Sequence, residues 1–243
     1  MKISRGIVDN SIYATLANQV ALNDELNIVA NNVANANTAG FKKGMQIMSN
    51  HIAKDKIANV KMPNDIASIS DFTSGSLKQT GKTLDVAING QGFFMIQTPN
   101  GVRYTRNGSF FTNSEGTLVD MQGNPVLSQD GAETVIPTHN ESVFINKEGK
   151  VYNSDAEIGS IGIVDFSTPK LLRKTENGYF TSDIEANPAD KYQLLQGFVE
   201  ESNTNPIIET TKMIDLQKKF SISSTLISDI YFMQANAYKT ISK

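Results

Sequence analysis

The chain has 243 residues, 39% of them hydrophobic and 19% charged, enough for one or two domains with a real core. A formal net charge of −3 and a pI near 5.5 give no electrostatic case for nucleic acid. The absence of cysteine excludes disulfides, a thiol nucleophile and thiolate metal sites.

The first element reads as a helix. Leu22, Leu26, Val29 and Val33 recur at spacings of 4, 3 and 4, with Ile12, Leu16 and Val20 on an adjoining stripe. This period predicts a helix from about Ser11 to Asn35. Lys2 and Arg5 precede no continuous apolar run and no cleavage site, so a secretory signal is not expected. No stretch reaches the ~18 apolar residues of a membrane helix.

The helix ends in VANNVANANTAGFKKG, residues 29–44, which packs Asn31, Asn32, Asn35 and Asn37 together. Asparagine competes for backbone hydrogen bonds and is a mediocre helix former. One reading is a stop signal, with Gly40 as a left-handed terminator and Lys42 and Lys43 favouring the helix C-terminus. The other is specification: amides buried between helices reward one register and penalise others. The two are compatible.

Residues 45–82 form a connecting segment. IMSNHIAKDKIANV, residues 47–60, suggests some helix, and Pro63 to Lys82 reads as extended or irregular. The period then changes. TLDVAI places Leu84, Val86 and Ile88 on one face, and FFMIQT, VRYTR, SFFT and TLVD follow. Asn-Gly, Pro-Asn-Gly and Glu-Gly signals separate them, which predicts an antiparallel meander. Weaker strands are expected at Val143–Ile145, Val151–Tyr152 and Ile161–Phe166, with loops at Pro137, Pro169 and Pro188. No internal repeat is evident.

The last element is a second helix, from about Pro206 to near the C-terminus. Asn205 reads as its N-cap and Pro206 as its first residue. Met213, Leu216, Phe220, Ser223, Ile227, Ile230, Gln234, Ala237 and Ile241 alternate spacings of 3 and 4, a sustained a/d-type seam.

The predicted fold is α+β. The N- and C-terminal helices pair as a coiled-coil-like domain, and a mainly antiparallel β-domain lies between. The domain reading is 1–44, 45–82, 83–193 and 194–243. A two-helix hairpin leaves apolar surface exposed, which points to packing against other subunits. Proteolysis of the free protein should leave a core near residues 75–195.

Residue patterns supply little chemistry. His51 and His139 have no ligand-spaced neighbours, so no metal site is expected. Gly90-Gln91-Gly92 reads as a hairpin turn rather than a dinucleotide fingerprint. Glu200-Glu201 shows no acid/base pairing. Arg103 and Arg106 flank Tyr104 and read as a solvated strand face or a subunit contact.

ANNVANANTAGFKKG, residues 30–44, resembles the N-terminal signature of bacterial flagellar basal-body rod and hook proteins. GSLKQTGKTLDVAINGQGFFMI (75–96), RYTRNGSF (103–110), GTLVDMQGNPVL (116–127) and LLQGFVEESNTNPI (194–207) resemble further blocks of that family, in order. The size and single β-domain are most similar to its proximal rod branch, with the distal rod branch next. Glu201, where the family often has Gly, and Lys218-Lys219-Phe220 depart from the pattern.

The resemblance implies a non-enzymatic axial subunit without cofactor, nucleic acid or small-molecule substrate. It implies export through the flagellar type III apparatus without cleavage, and helical assembly with itself or near-homologues and other rod subunits. The rod crosses the periplasm and transmits torque. The terminal helices would form the inner D0 domain and residues 83–193 the outer D1 domain. Interface residues are then expected at Leu22, Leu26, Val29, Asn31, Asn32, Val33, Asn35, Asn37, Gly40, Phe41, Met213, Leu216, Phe220, Ile227 and Ile230. A periplasmic β-domain hydrolase would instead need a convergent carboxylate or Ser/His pocket. A soluble export chaperone or cap-like binder would be a stable monomer with its helices docked at home.

Overall fold

A computed structural model describes residues 2–54, 59–136, 143–153 and 156–241. The backbone divides into two compact units. One comprises residues 1–34, 44–68 and 205–243, and the other residues 35–43 and 69–204.

The first unit holds helix α1 (Lys2–Ala34), helix α2 (Pro206–Ile241) and most of a two-stranded ribbon of β1 (Gly44–Lys54) and β2 (Asn59–Ser70). α1 starts nine residues earlier than the apolar stripe predicts. The Asn205 side-chain carbonyl accepts from Ile207 N at 3.0 Å and Ile208 N at 3.3 Å, so the predicted cap forms and Pro206 opens α2. The helix suggested near residues 47–60 is not formed among the described residues, which are strand at 47–54 and 59–60. The Asn32 side chain takes both backbone groups of Gly44, at 2.8 Å and 3.0 Å, and the chain leaves extended. Gln46 then donates to the Ala21 carbonyl at 3.2 Å. The segment between β1 and β2, His139 and the loop at Pro137 lie outside the described residues, and so does the His51 side chain.

The second unit is β-rich. After β3 (Leu77–Gln79), strands β4 (Val86–Gly90), β5 (Phe93–Thr98) and β6 (Gly101–Thr105) follow. β5 and β6 form the expected hairpin across Pro99-Asn100-Gly101, with Thr98 opposite Gly101. Gly90-Gln91-Gly92 is a turn but not a hairpin. β4 pairs with Tyr192–Gln196, whereas β5 pairs with β6 and Ile163–Asp165. The chain therefore changes sheet there, using φ of 121° at Gly90 and 119° at Gly92.

A simple meander is not what forms. The six-stranded sheet interleaves distant segments in the order Arg173–Lys174, Phe180–Thr181, β6, β5, Ile163–Asp165, Asn187–Pro188, with every pairing antiparallel. Pro188 thus sits on an edge strand rather than in a loop, where its missing N–H costs nothing. Val143–Ile145, Lys150–Asn153 and Ala156–Ser160 make a separate three-stranded sheet.

A repeated turn, unforeseen in the sequence, organises the middle of this unit. NSEGT (113–117), DMQGN (120–124), SQDGA (128–132) and NKEGK (146–150) share one geometry. The fourth residue is Gly with φ between 78° and 92°, and its N–H donates to the first residue's carbonyl at 3.0–3.1 Å. The first residue's side-chain oxygen accepts from the backbone N–H of the fifth in all four. The signal is an oxygen-bearing residue three before Gly, recurring at intervals of seven, eight and eighteen.

The core lies between these sheets. Val86, Ile88, Phe94, Ile96, Phe110, Leu118, Val126, Ile163 and Leu194 belong to its larger apolar cluster. Phe94 and Phe110 meet edge to face at 5.0 Å. A second cluster packs Phe93, Phe166 and Phe180, with Phe72 against it.

Candidate assembly surfaces

The two helices run antiparallel, as three pairs of partners show. Asn32 meets Glu209, Glu25 meets Lys212 at 2.8 Å, and Leu22 clusters with Leu216. Leu22, Val29 and Leu216 are buried together, with Leu26, Met213 and Phe220 packed against them. Six of the seam residues therefore lie in one apolar cluster. Val33, Ile227 and Ile230 are half-buried and outside that cluster.

The four asparagines divide. Asn32 is buried, and its amide donates to Gly44 O at 3.0 Å and to the Glu209 carboxylate at 3.1 Å. Both partners lie within the chain. Asn35 is half-buried; its side-chain oxygen accepts from the Thr38 hydroxyl and its carbonyl from Thr38 N, which terminates α1. Asn31 and Asn37 are exposed.

Gly40 is left-handed, at φ 69°, but it does not cap the helix. α1 ends at Ala34, and Gly40 instead packs on another backbone segment: a Cβ there would lie 2.2 Å from Asn107 N. Phe41 is buried beneath Lys174, whose ammonium stands 3.5 Å from the ring centre. Burial pushes the Lys174 ammonium down to about 8. Lys42 is not a helix-end cation either. It is fully buried, 2.6 Å from Glu200, and burial lowers its pKa while the Glu200 carboxylate pulls it back up. Arg106, read above as a solvated face or subunit contact, is buried as well, whereas Arg103 is half-buried near Thr181 Oγ1 at 3.3 Å.

α2 carries a second apolar face. Ile207, Ile214, Ile222, Leu226 and Met233 follow at spacings of 7, 8, 4 and 7, all helical-face intervals, and all are exposed. Ile207 is 77% exposed, and Ile222 and Phe232 are each 69% exposed. Leu16 and Val20 are exposed on α1. An open groove of about 490 Å³ runs between the helices, lined by Ala14, Asn18, Leu22, Lys219, Ile222 and Ser223 among others. The Ser223 hydroxyl is buried with no hydrogen-bond partner among the described residues. Neither a metal-ligating cluster nor a helix long and apolar enough to cross a membrane occurs among the described residues.

The two long helices leave apolar side chains exposed, and comparison with known proteins identifies the family that carries them. Residues 17–42 match the family model "Flagella basal body rod protein", residues 87–153 "Flagellar hook protein FlgE/F/G D1 domain", and residues 195–238 "Flagellar basal body rod FlgEFG protein C-terminal". The flagellar basal-body rod protein FlgF of Caulobacter vibrioides is 37% identical over 97% of this chain and 99% of its own length. The chain belongs to the flagellar basal-body rod proteins. FlgF of Mesorhizobium japonicum is 32% identical over 96% of this chain and 98% of its own. FlgG of Bacillus subtilis is 33% identical over 90% of this chain and 94% of its own. Within the family the chain is most like FlgF, whose Caulobacter member exceeds this FlgG in both identity and coverage. The family is structural, which sets aside the hydrolase reading.

Proposed function

We propose that this protein is a structural subunit of the flagellar basal-body rod, of the proximal FlgF type, built into a helical assembly that transmits torque across the periplasm. One observation carries the reading beyond the family: α2 is apolar on two faces, and α1 covers only one. Residues such as Ile207, Ile222 and Phe232 gain from a neighbour what α1 cannot give. A buried Leu or Phe side chain is worth ~1.5–3 kcal/mol, so a few such contacts per subunit sustain a stable interface. Contacts between unlike surfaces that do not close on themselves generate a filament.

In this reading helices α1 and α2 make a coiled-coil-like inner domain, and residues 83–193 face outward. The partners are copies of the chain and other rod subunits, and delivery is by the flagellar type III export apparatus without cleavage. The sequence-predicted seam, Leu22 to Val33 and Met213 to Ile230, serves within the subunit at its centre and between subunits at its ends. Deletion of the gene should leave cells without an assembled rod and non-motile, with plasmid-borne wild type restoring both. Normal basal bodies in the deletion strain would overturn the reading.

A further inference from the structure

The chain enters the β-rich unit at residues 35–43 and leaves it at 198–204, and these two necks are tied together. Gly40 N donates to Glu200 O at 2.7 Å, Lys43 N to Asn203 Oδ1 at 2.8 Å, and Asn203 N to Phe41 O at 3.4 Å. A third segment joins them. Lys42 Nζ donates to Thr73 O at 2.8 Å, Asp71 N to Lys43 O at 2.8 Å, and the Asn203 amide to Asp71 O at 2.9 Å.

Glu200 is the hub. One carboxylate oxygen accepts from Lys42 Nζ at 2.6 Å and from Gly75 N at 2.9 Å. The other lies 3.5 Å from Arg106 Nη1, and Arg106 also donates to the Ile88 and Gly90 carbonyls at 3.3 Å and 2.7 Å. Lys42, Arg106 and Glu200 are at most 5% exposed. A methyl group on Gly75 would lie 2.0 Å from Glu201 O, so that segment is fitted closely against the exit neck. None of these bonds involves a residue of α1 or α2.

We infer that the buried Lys42–Glu200–Arg106 cluster is a clasp that makes residues 35–43 and 69–204 a self-contained folded body, ordered whether or not the two long helices are. A buried charge is tolerated only while its partners are in place, so the cluster is closed or lost as a whole. The neck residues therefore share the stability of the β-unit and not that of the helices. The protease-resistant core is then residues 35–43 and 69–204 rather than 75–195. The inference concerns folding of the free protein and stands apart from the rod reading.

Hydrogen exchange on the purified full-length chain tests it. The amides of Gly40, Lys43, Asp71, Gly75 and Asn203 should exchange as slowly as those of β4 to β6, including at urea concentrations where α1 and α2 amides exchange freely. Glu200→Gln, which leaves two buried cations without their carboxylate, should speed exchange at these five amides by about a hundredfold or more. Glu157→Gln, which breaks the exposed pair with Lys150, should leave them unchanged. Neck amides that exchange with the helices in the wild-type protein would overturn the clasp, as would a Glu200→Gln protein whose neck amides keep their protection.

Discussion

Asn32 on α1 and Glu209 on α2 share a buried hydrogen bond of 3.1 Å, a polar contact that helps fix how the two helices meet. The same amide group holds both backbone groups of Gly44, so a single side chain sets the helix partner and turns the departing chain. Asn32→Ala should lower the stability of the helix pair by about 1–3 kcal/mol, because it removes a buried hydrogen bond to the Glu209 carboxylate and the partner of both Gly44 backbone groups. Asn37→Ala, at an exposed position, should be neutral. Thermal melts followed at 222 nm, an ordinary helix wavelength, make the comparison.

Gly40→Ala and Gly81→Ala separate backbone strain from close approach. Both glycines are left-handed, at φ 69° and 72°, but only Gly40 faces a neighbouring backbone, while Gly81 has open space around it. Gly81→Ala should cost about 1–2 kcal/mol from strain alone. Gly40→Ala should cost about 3 kcal/mol or more, because the Arg106–Asn107 backbone must also move. Urea titration of the two variants against wild type reads the difference.

The contrast between these glycines shows where sequence reading stops. The helices, the Asn205 cap, the β5–β6 hairpin and the centre of the seam follow from period and local turn chemistry, which act over a few residues. Lys42, Glu200 and Arg106 carry no local mark, since 158 positions separate the first two and only the fold joins them. Residues 47–60 matched a helical period, but the Asn32 grip on Gly44 is tertiary and overrides it. The four Gly turns were legible in principle, as an oxygen-bearing residue three before each glycine, and were obscured by unrelated residues between.

Lys174 makes the stability of the β-unit depend on alkaline pH. Its pKa is about 8 in the folded protein against an ordinary 10.5, because burial disfavours the charge. Between those values the unfolded chain binds more protons, so raising pH favours the folded state. Below about 8 the group is charged in both states and contributes no slope. Wild type should gain stability from this group as pH rises from 8 to 10.5, and Lys174→Met should lose that rise. Urea midpoints of both proteins across pH 7 to 10.5 check it.

Leu216→Ala should weaken helix pairing by ~2–5 kcal/mol, since Leu216 sits in the small cluster that joins α1 to α2. That cluster holds three buried side chains among the described residues, against fourteen in the larger β-cluster. The helices should therefore melt first, and Leu216→Ala should shift only that first transition in a scanning calorimetry trace.

In the proposed rod the outer apolar face of α2 packs between subunits. Phe232→Asp tests it most directly, because Phe232 is 69% exposed and lies outside the cluster that joins the helices. The measurement is the number of subunits in purified basal bodies, counted by quantitative mass spectrometry at matched export levels. The account predicts that Phe232→Asp melts like wild type as a free protein yet is missing from basal bodies. Incorporation at the wild-type level would contradict it.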